Sequence, residues 1–185
     1  VLPFYTSLKV CDTPQILLDV GCEQLPMLYT QKHLKNAILP PDEKNHRHGL
    51  EIEQIKRLPE LLSHPVMIID SPNRKDSIIV VTSEVDKSDN PIIASIKPNG
   101  EGRYEVENVS SNFITSVYGR NNFSEYFRRI VQSDNLLFCD KQKSQAMFER
   151  WGEQYSELTN NLDFNIIIHQ SRNIVKGMQQ ENNAE

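Results

Sequence analysis

Three apolar runs, VMIID from Val66, SIIVVTS from Ser77 and PIIASIK from Pro91, are rich in β-branched residues and are separated by the turn-like PNRKD and DKSDN. Side chains branched at Cβ fit a pleated surface, so short runs of them between turn residues read as consecutive antiparallel strands. A chain with this centre folds around a sheet. VMIID and SIIVV are nearly continuous in apolar residues, so part of that sheet is expected to be covered on both faces. PNGEGR predicts a further turn, after which YEVENV and NFITSVYG supply one or two more strands.

Helices flank this sheet in the sequence. TPQILLDVG reads as a short helix with Thr13 as its cap, Pro14 in its first turn and Gly21 closing its end. LPMLYT is apolar and leads to Thr30, which caps a helix over QKHLKNAIL that Pro40 and Pro41 stop, with Leu34, Ile38 and Ala37 toward the core. LEIEQIKRLPELLSHP carries Leu50, Ile52, Ile55, Leu58, Leu61 and Leu62 at helical spacing, and Pro59 divides it into two pieces. Beyond the sheet, NNFSEYFRRIVQSD gives an apolar stripe of Phe123, Phe127, Ile130 and Val131, with Asn121 or Asn122 at its cap. LLFCD is a short strand, and KQKSQAMFERWGEQYSEL a long helix packing through Ala146, Met147 and Trp151.

The expected class is therefore α+β, with N-terminal helices packed on an antiparallel β-sheet and C-terminal helices after it. Residues 1–178 read as a single domain, helical over residues 1–64, sheet-forming over residues 65–140 and helical again over residues 141–178. Residues 179–185 read as a disordered tail, because QQENNAE cannot bury enough apolar area to offset its ordering entropy. Upstream of the tail, IIIHQSRNIV is apolar enough to dock, and His169 lies within it.

The 185 residues carry a net charge of −5 and a pI near 5.6, which argues against a general nucleic-acid binder while leaving room for a locally basic site. Cys11, Cys22 and Cys139 are too few and too scattered for a disulfide framework and point to a reducing compartment. No apolar run is long enough to span a bilayer, so no membrane partner is expected. The chain opens without Met, as an excised piece or a C-terminal domain of a longer protein does.

Three of the five histidines fall in TQKHLKNAILPPDEKNHRHG, between Thr30 and Gly49. Histidine gives and takes protons near neutral pH, so this cluster suits acid–base chemistry, metal binding or a pH switch. From position alone His33 also fits a half-exposed capping histidine at the edge of the buried helix face. Asp42 and Glu43 beside His46 and His48 do not form a zinc spacing, so no metal and no cofactor is expected. The other polar concentration is SSNFITSVYGR. Strand alternation sets Thr115 with Val117 and Ser116 with Tyr118 on opposite faces, with Arg120 following in the loop. A base for a 2′-hydroxyl, an acid for a 5′-oxygen and donors for phosphorane charge are within the repertoire of histidine, serine, tyrosine and arginine. No G-x-S-x-G elbow, P-loop, G-x-G-x-x-G or ADP-ribosyltransferase pattern occurs.

The order TPQILLDVG, LPMLYTQKHL, HRHGL, IKRLPELLSHPVMIIDS, SIIVVTS, PIIASIKPNG, SSNFITSVYG, LLFCDK and IIHQSRNIV resembles the C-terminal domain of phage MuF-type head morphogenesis proteins and of large prophage and conjugative-element proteins. The resemblance covers nearly the whole chain. It implies a relation to the ribonuclease superfamily of barnase, EndoU, the tRNase colicins and RelE, which cleaves RNA without metal. On that pattern the helical histidine is His33 and the second is His48, and the late hydroxyl-bearing strand is met by Thr115, Ser116 and Tyr118. The expected catalytic groups are then His33, His48, Ser116 and Tyr118, with Lys32, Thr115 and Arg120 expected to hold the substrate. The chain departs from the pattern in its acidity and in the long Pro-rich loop before His48. The expected function is a metal-independent endoribonuclease, a toxin or effector of a mobile element, with RNA as substrate and an immunity protein or phage structural protein as possible partner. Its expected place is the bacterial cytoplasm or a virion. The alternative is a non-enzymatic interaction module of a phage head or packaging assembly.

Overall fold

A computed structural model describes residues 6–104 and 107–152. Strands β1 (Ser7–Asp12), β2 (Pro26–Thr30), β3 (Met67–Asp70), β4 (Ile78–Val85), β5 (Pro91–Tyr104), β6 (Glu107–Gly119) and β7 (Leu136–Cys139) form one seven-stranded sheet in the order β1-β2-β6-β5-β4-β3-β7. Helices α1 (Gln15–Asp19), α2 (Gln31–Ile38), α3 (Ile52–Lys56) and α4 (Leu58–Ser63) precede β3. Helix α5 (Phe123–Gln132) lies before β7 and α6 (Lys141–Arg150) after it. The class is α+β, as expected.

The meander of β3, β4, β5 and β6 is antiparallel, and β7 adds to its outer edge in the same sense. The sheet as a whole is mixed, because β2 runs parallel to β6 and β1 touches β5 in parallel at Ser7 and Tyr104. Both β1 and β2 lie in the stretch expected to be helical. β1 pairs with β2 across the whole of α1, and β2 meets β6 far along the chain, so no tight turn announces either.

Both sheet faces are covered, which accounts for the unbroken apolar runs. Ile68, Ile78, Val80, Ala94 and Ile96 pack with Leu17 of α1, Ala37 of α2, and Leu58 and Leu62 of α4. Met67, Ile69, Ile79, Val81 and Ile93 pack with Phe123, Tyr126, Phe127 and Ile130 of α5 and Phe148 of α6. Each of the Val, Leu, Ile, Met and Phe side chains among them contributes about 1.5–3 kcal/mol through burial, so the two layers carry most of the stability.

Several local expectations change. The Pro98–Asn99 step of PNGEGR is not a turn: β5 continues to Tyr104, and the pairing with β6 shifts register between Lys97 and Gly100, with Asn99 at φ 51°. That is a bulge, which bends a strand without ending it. Thr13 does not cap α1; its hydroxyl donates to the Leu25 carbonyl at 2.6 Å and accepts from Asn112 at 2.7 Å. Ile52 is exposed, and Ala146 is exposed while Ser144 and Phe148 take the buried face of α6. The break of LEIEQIKRLPELLSHP into α3 and α4, with Pro59 in the first turn of α4, is as expected. The final helix stops at Arg150, where Gly152 takes φ 69°. IIIHQSRNIV, His169, the remainder of the expected helical stretch 141–178 and the tail 179–185 lie outside the described residues.

Candidate active site

The histidine-bearing segment is shaped by local capping. The Thr30 hydroxyl accepts from the His33 backbone N–H at 3.2 Å, which starts α2 and places His33 in its first turn. The Tyr29 hydroxyl donates to the His33 carbonyl at 3.2 Å and is also bonded to the Val117 backbone, tying α2 to β6. The His33 imidazole lies between Tyr29 and Phe113, at centroid distances of 6.5 and 6.1 Å, and its Nδ1 is buried without a partner among the described residues.

After α2 the chain folds back on itself. Asp42 and Arg47 exchange backbone hydrogen bonds of 3.1 and 3.0 Å around a single 3-10 turn, Glu43–Asn45, and His46 takes the left-handed region at φ 53°. The His48 N–H donates to the Asn36 carbonyl at 2.9 Å, so the loop is anchored along α2. Gly49, at φ 67°, packs so closely on Pro41 that a Cβ would lie 2.7 Å from its Cδ. The long Pro-rich loop therefore brings His48 back to the site. Its ring stacks on Tyr118, with centroids 5.1 Å apart.

Strand β6 does not follow simple alternation here. Ser95 pairs with Ser116 but Ile96 with Ile114, which leaves Thr115 as the extra residue of a bulge. Ile114 and Val117, three apart, consequently both enter the same core. The Thr115 hydroxyl donates to the Ser95 carbonyl at 3.2 Å. Beyond the strand, the Arg120 N–H donates to the Pro91 carbonyl at 2.9 Å and its guanidinium donates to the Tyr118 hydroxyl at 3.3 Å.

These pieces surround a cleft of about 880 Å³. Lys32, His33, His48, Thr115, Ser116, Tyr118 and Arg120, all singled out in the sequence, line it together. Sequence reasoning did not assign Arg74, Ser71 and Asn73 from the β3–β4 loop, Lys44, Asn36, Asn45 or Ser95, which also line it. His46, read as a loop neighbour, is on the wall as well. PNRKD contains Arg74 and is legible in sequence only as a turn; nothing in its spacing relates it to α2.

Lys32, Lys44, Arg74 and Arg120 supply positive charge, and among the described residues no Asp or Glu lines the cleft. None of these cations takes part in an ion pair among the described residues. Burial lowers the His33 pKa first, and the charges of Lys32 and Arg74 lower it further. Burial likewise lowers that of His48, with a smaller push from His46. Among the described residues no group of three or more His, Cys, Asp or Glu side chains converges as a metal site. Cys22 is buried and its thiol is pushed up to about 12, which suits a packing role.

Residues 41–146 match the model of the phage MuF C-terminal domain, a span of more than half the chain. The chain belongs to that family. No curated protein and no solved structure matches it. The stretch of this MuF C-terminal domain that the family model matches contains His46, His48, Arg74, the β6 bulge and Arg120, and begins after α2. Lys32 and His33 are thus contributed to the cleft by a segment upstream of the match.

Proposed function

We propose that this MuF C-terminal domain is a metal-independent endoribonuclease, acting as a toxin or effector in a bacterial cytoplasm or from a virion-associated parent protein. The observation that carries the reading is a cleft in an acidic chain that holds two half-buried histidines and, among the described residues, unpaired cations without a lining carboxylate. Such a field favours a phosphodiester, and cations with fixed donors stabilise the charge that builds on phosphorus. One histidine takes the 2′-hydroxyl proton as the 2′-oxygen attacks phosphorus. The other protonates the departing 5′-oxygen, leaving a 2′,3′-cyclic phosphate and a 5′-hydroxyl.

The lowered pKa of both histidines suits the base, which must be neutral. The acid must be charged, and an anionic phosphate between the rings raises the pKa of the histidine it contacts. Ser116 and Tyr118 donate to the phosphate oxygens, while Lys32, Arg74 and Arg120 neutralise them. Thr115 holds the bulge that presents Ser116.

The test is cleavage of a single-stranded RNA in excess chelator, with His33→Ala and His48→Ala beside the parent protein. Cleavage that persists under chelation and is lost in both variants supports the reading. Wild-type cleavage in both variants, or a requirement for a divalent cation, overturns it and points to a different enzyme, whereas a parent protein that cleaves no RNA overturns it and leaves the non-enzymatic interaction module of a phage assembly as the better account.

A further inference from the structure

Arg120 is held from behind. Its guanidinium carbon lies 3.7 Å from the centroid of the Tyr126 ring, which belongs to α5 and is 3% exposed. Tyr126 packs in the second core with Phe123, Phe127 and Ile130, so its position is fixed by the interior. The same guanidinium donates to the Tyr118 hydroxyl, and Tyr118 in turn stacks on His48. Arg120 Nε is buried without a hydrogen-bond partner among the described residues. No carboxylate orients this arginine among the described residues; an aromatic face and a phenol do so.

We infer that Tyr126 is a positioning residue of the cleft, holding the Arg120 guanidinium as a preorganised plane for a phosphate oxygen pair. The inference rests on the ribonuclease reading for its substrate, but its own content is anion binding. A ring under a guanidinium stabilises the cation and restricts its rotamers without occupying its in-plane N–H donors, so apart from the one given to Tyr118 and the buried Nε the terminal N–H groups of Arg120 stay available to an anion. A carboxylate in the same place would occupy those donors and cancel the charge. The Tyr126 hydroxyl is buried and makes no hydrogen bond among the described residues, so the ring and not the phenol matters. Phenylalanine should therefore serve equally well.

The experiment measures inorganic pyrophosphate affinity by calorimetry for the intact chain and for Tyr126→Phe, Tyr126→Leu, Arg120→Lys and the double variant Tyr126→Leu/Arg120→Lys. Thermal melting of each protein is followed in parallel. Tyr126→Phe is expected to bind as the parent does. Tyr126→Leu is expected to bind up to about tenfold more weakly, the scale of ordering one rotamer-rich side chain on binding. Arg120→Lys keeps the charge but not the plane and is expected to lose a similar factor, with little further loss in the double variant. This last comparison guards against a core defect in Tyr126→Leu, since a general loosening would weaken binding whether or not Arg120 is present.

Parental affinity in a folded Tyr126→Leu, or equal further loss in the double variant, overturns the assignment. So does a parent protein that binds no pyrophosphate. Pyrophosphate binding with the expected pattern, but no RNA cleavage, leaves Tyr126 in its role and removes the ribonuclease reading.

Discussion

The His48 imidazole lies over the Tyr118 ring with centroids 5.1 Å apart and planes inclined by 27°. The stack joins the returning end of the histidine loop to β6, and the Tyr118 hydroxyl accepts from Arg120. Tyr118→Phe keeps the stack and removes one charge-assisted hydrogen bond, so on the proposed ribonuclease reading RNA cleavage should fall roughly tenfold. On the proposed ribonuclease reading, His48→Ala removes a proton-transfer group and should cost roughly 10²–10⁴-fold in kcat/KM. Comparing kcat/KM for the two variants, with melting temperature as a control, separates the roles. Equal losses would take His48 out of proton transfer and leave it as a support for Tyr118.

His33 and His48 resist protonation in the free protein, chiefly because they are half-buried. Their folded pKa values lie below the unfolded value of about 6.5, so the unfolded chain binds more protons as pH falls. Their contribution to stability is therefore intact above about 6.5 and is lost as pH falls through the depressed folded values. NMR titration of the imidazole carbons should place both midpoints below about 6.5, and pyrophosphate should move at least one of them upward. A His48 midpoint at or above the ordinary value without anion would contradict the environment described for its ring.

Asp70, at the end of β3, shows the opposite sign. One carboxylate oxygen is buried without a partner among the described residues, and burial pushes the group up to about 6. The folded value lies above the unfolded one of about 3.9, so its contribution to stability is complete below about 4 and is lost as pH rises through the folded value. At pH 7 the protein carries a half-buried charge whose burial outweighs the backbone hydrogen bond it receives from Ser71. Asp70→Asn should raise stability there by about 1–2 kcal/mol, a figure reduced to allow for solvent screening of the exposed half. Urea denaturation at pH 7 and pH 4 should show that gain at the higher pH only; a gain of equal size at both would mean that charge is not its source.

The local elements of this fold are readable from the chain because their causes are local. Thr30 accepts from the His33 N–H three residues on, and β-branched runs between turn residues form β3, β4 and β5. The cleft residues on α2 and β6 are recognisable by their chemistry. What cannot be read depends on contacts between distant segments: β2 runs beside β6, Arg74 reaches α2 from a turn, and Tyr126 supports Arg120 from a helix that reads as scaffold. Thr115 belongs to the same class, since only pairing with β5 reveals that it is the extra residue of a bulge.

Gly119 separates Tyr118 from Arg120 and has no room for a side chain. A Cβ there would fall 1.9 Å from Asp86 Oδ2 and 2.5 Å from its Cγ. Asp86 is not free to leave: its carboxylate accepts from the Ser88 and Asn90 N–H groups at 2.8 and 2.9 Å and closes the β4–β5 turn. Gly119→Ala should destabilise by about 1–3 kcal/mol, the usual cost of overpacking. In an Asp86→Gly background the same change should cost much less, because the clashing carboxylate and the Asp86 Cβ, which a Cβ at Gly119 would approach to 2.9 Å, are both gone. Chemical denaturation of the four proteins closes the cycle, and strictly additive costs would place the strain elsewhere.

Asn112 is fully buried and its amide is used at both ends. Oδ1 accepts from the Asn99 N–H at 3.0 Å, and Nδ2 donates to the Thr13 hydroxyl at 2.7 Å and to the Glu23 carbonyl at 2.9 Å. One side chain on β6 thereby clamps the β5 bulge and the segments on either side of α1. Asn112→Leu keeps the volume but strands these buried groups, at a cost of at least about 2 kcal/mol. Asn112→Asp keeps the acceptor for Asn99 and turns the donor into a second oxygen facing the Glu23 carbonyl. Its cost should be greater at pH 7 than at pH 4.5, where a protonated carboxyl regains one donor. Denaturation at both pH values measures this directly. If Asn112→Leu matched the parent within about 0.5 kcal/mol, the range of an ordinary surface change, the clamp would have no energetic standing.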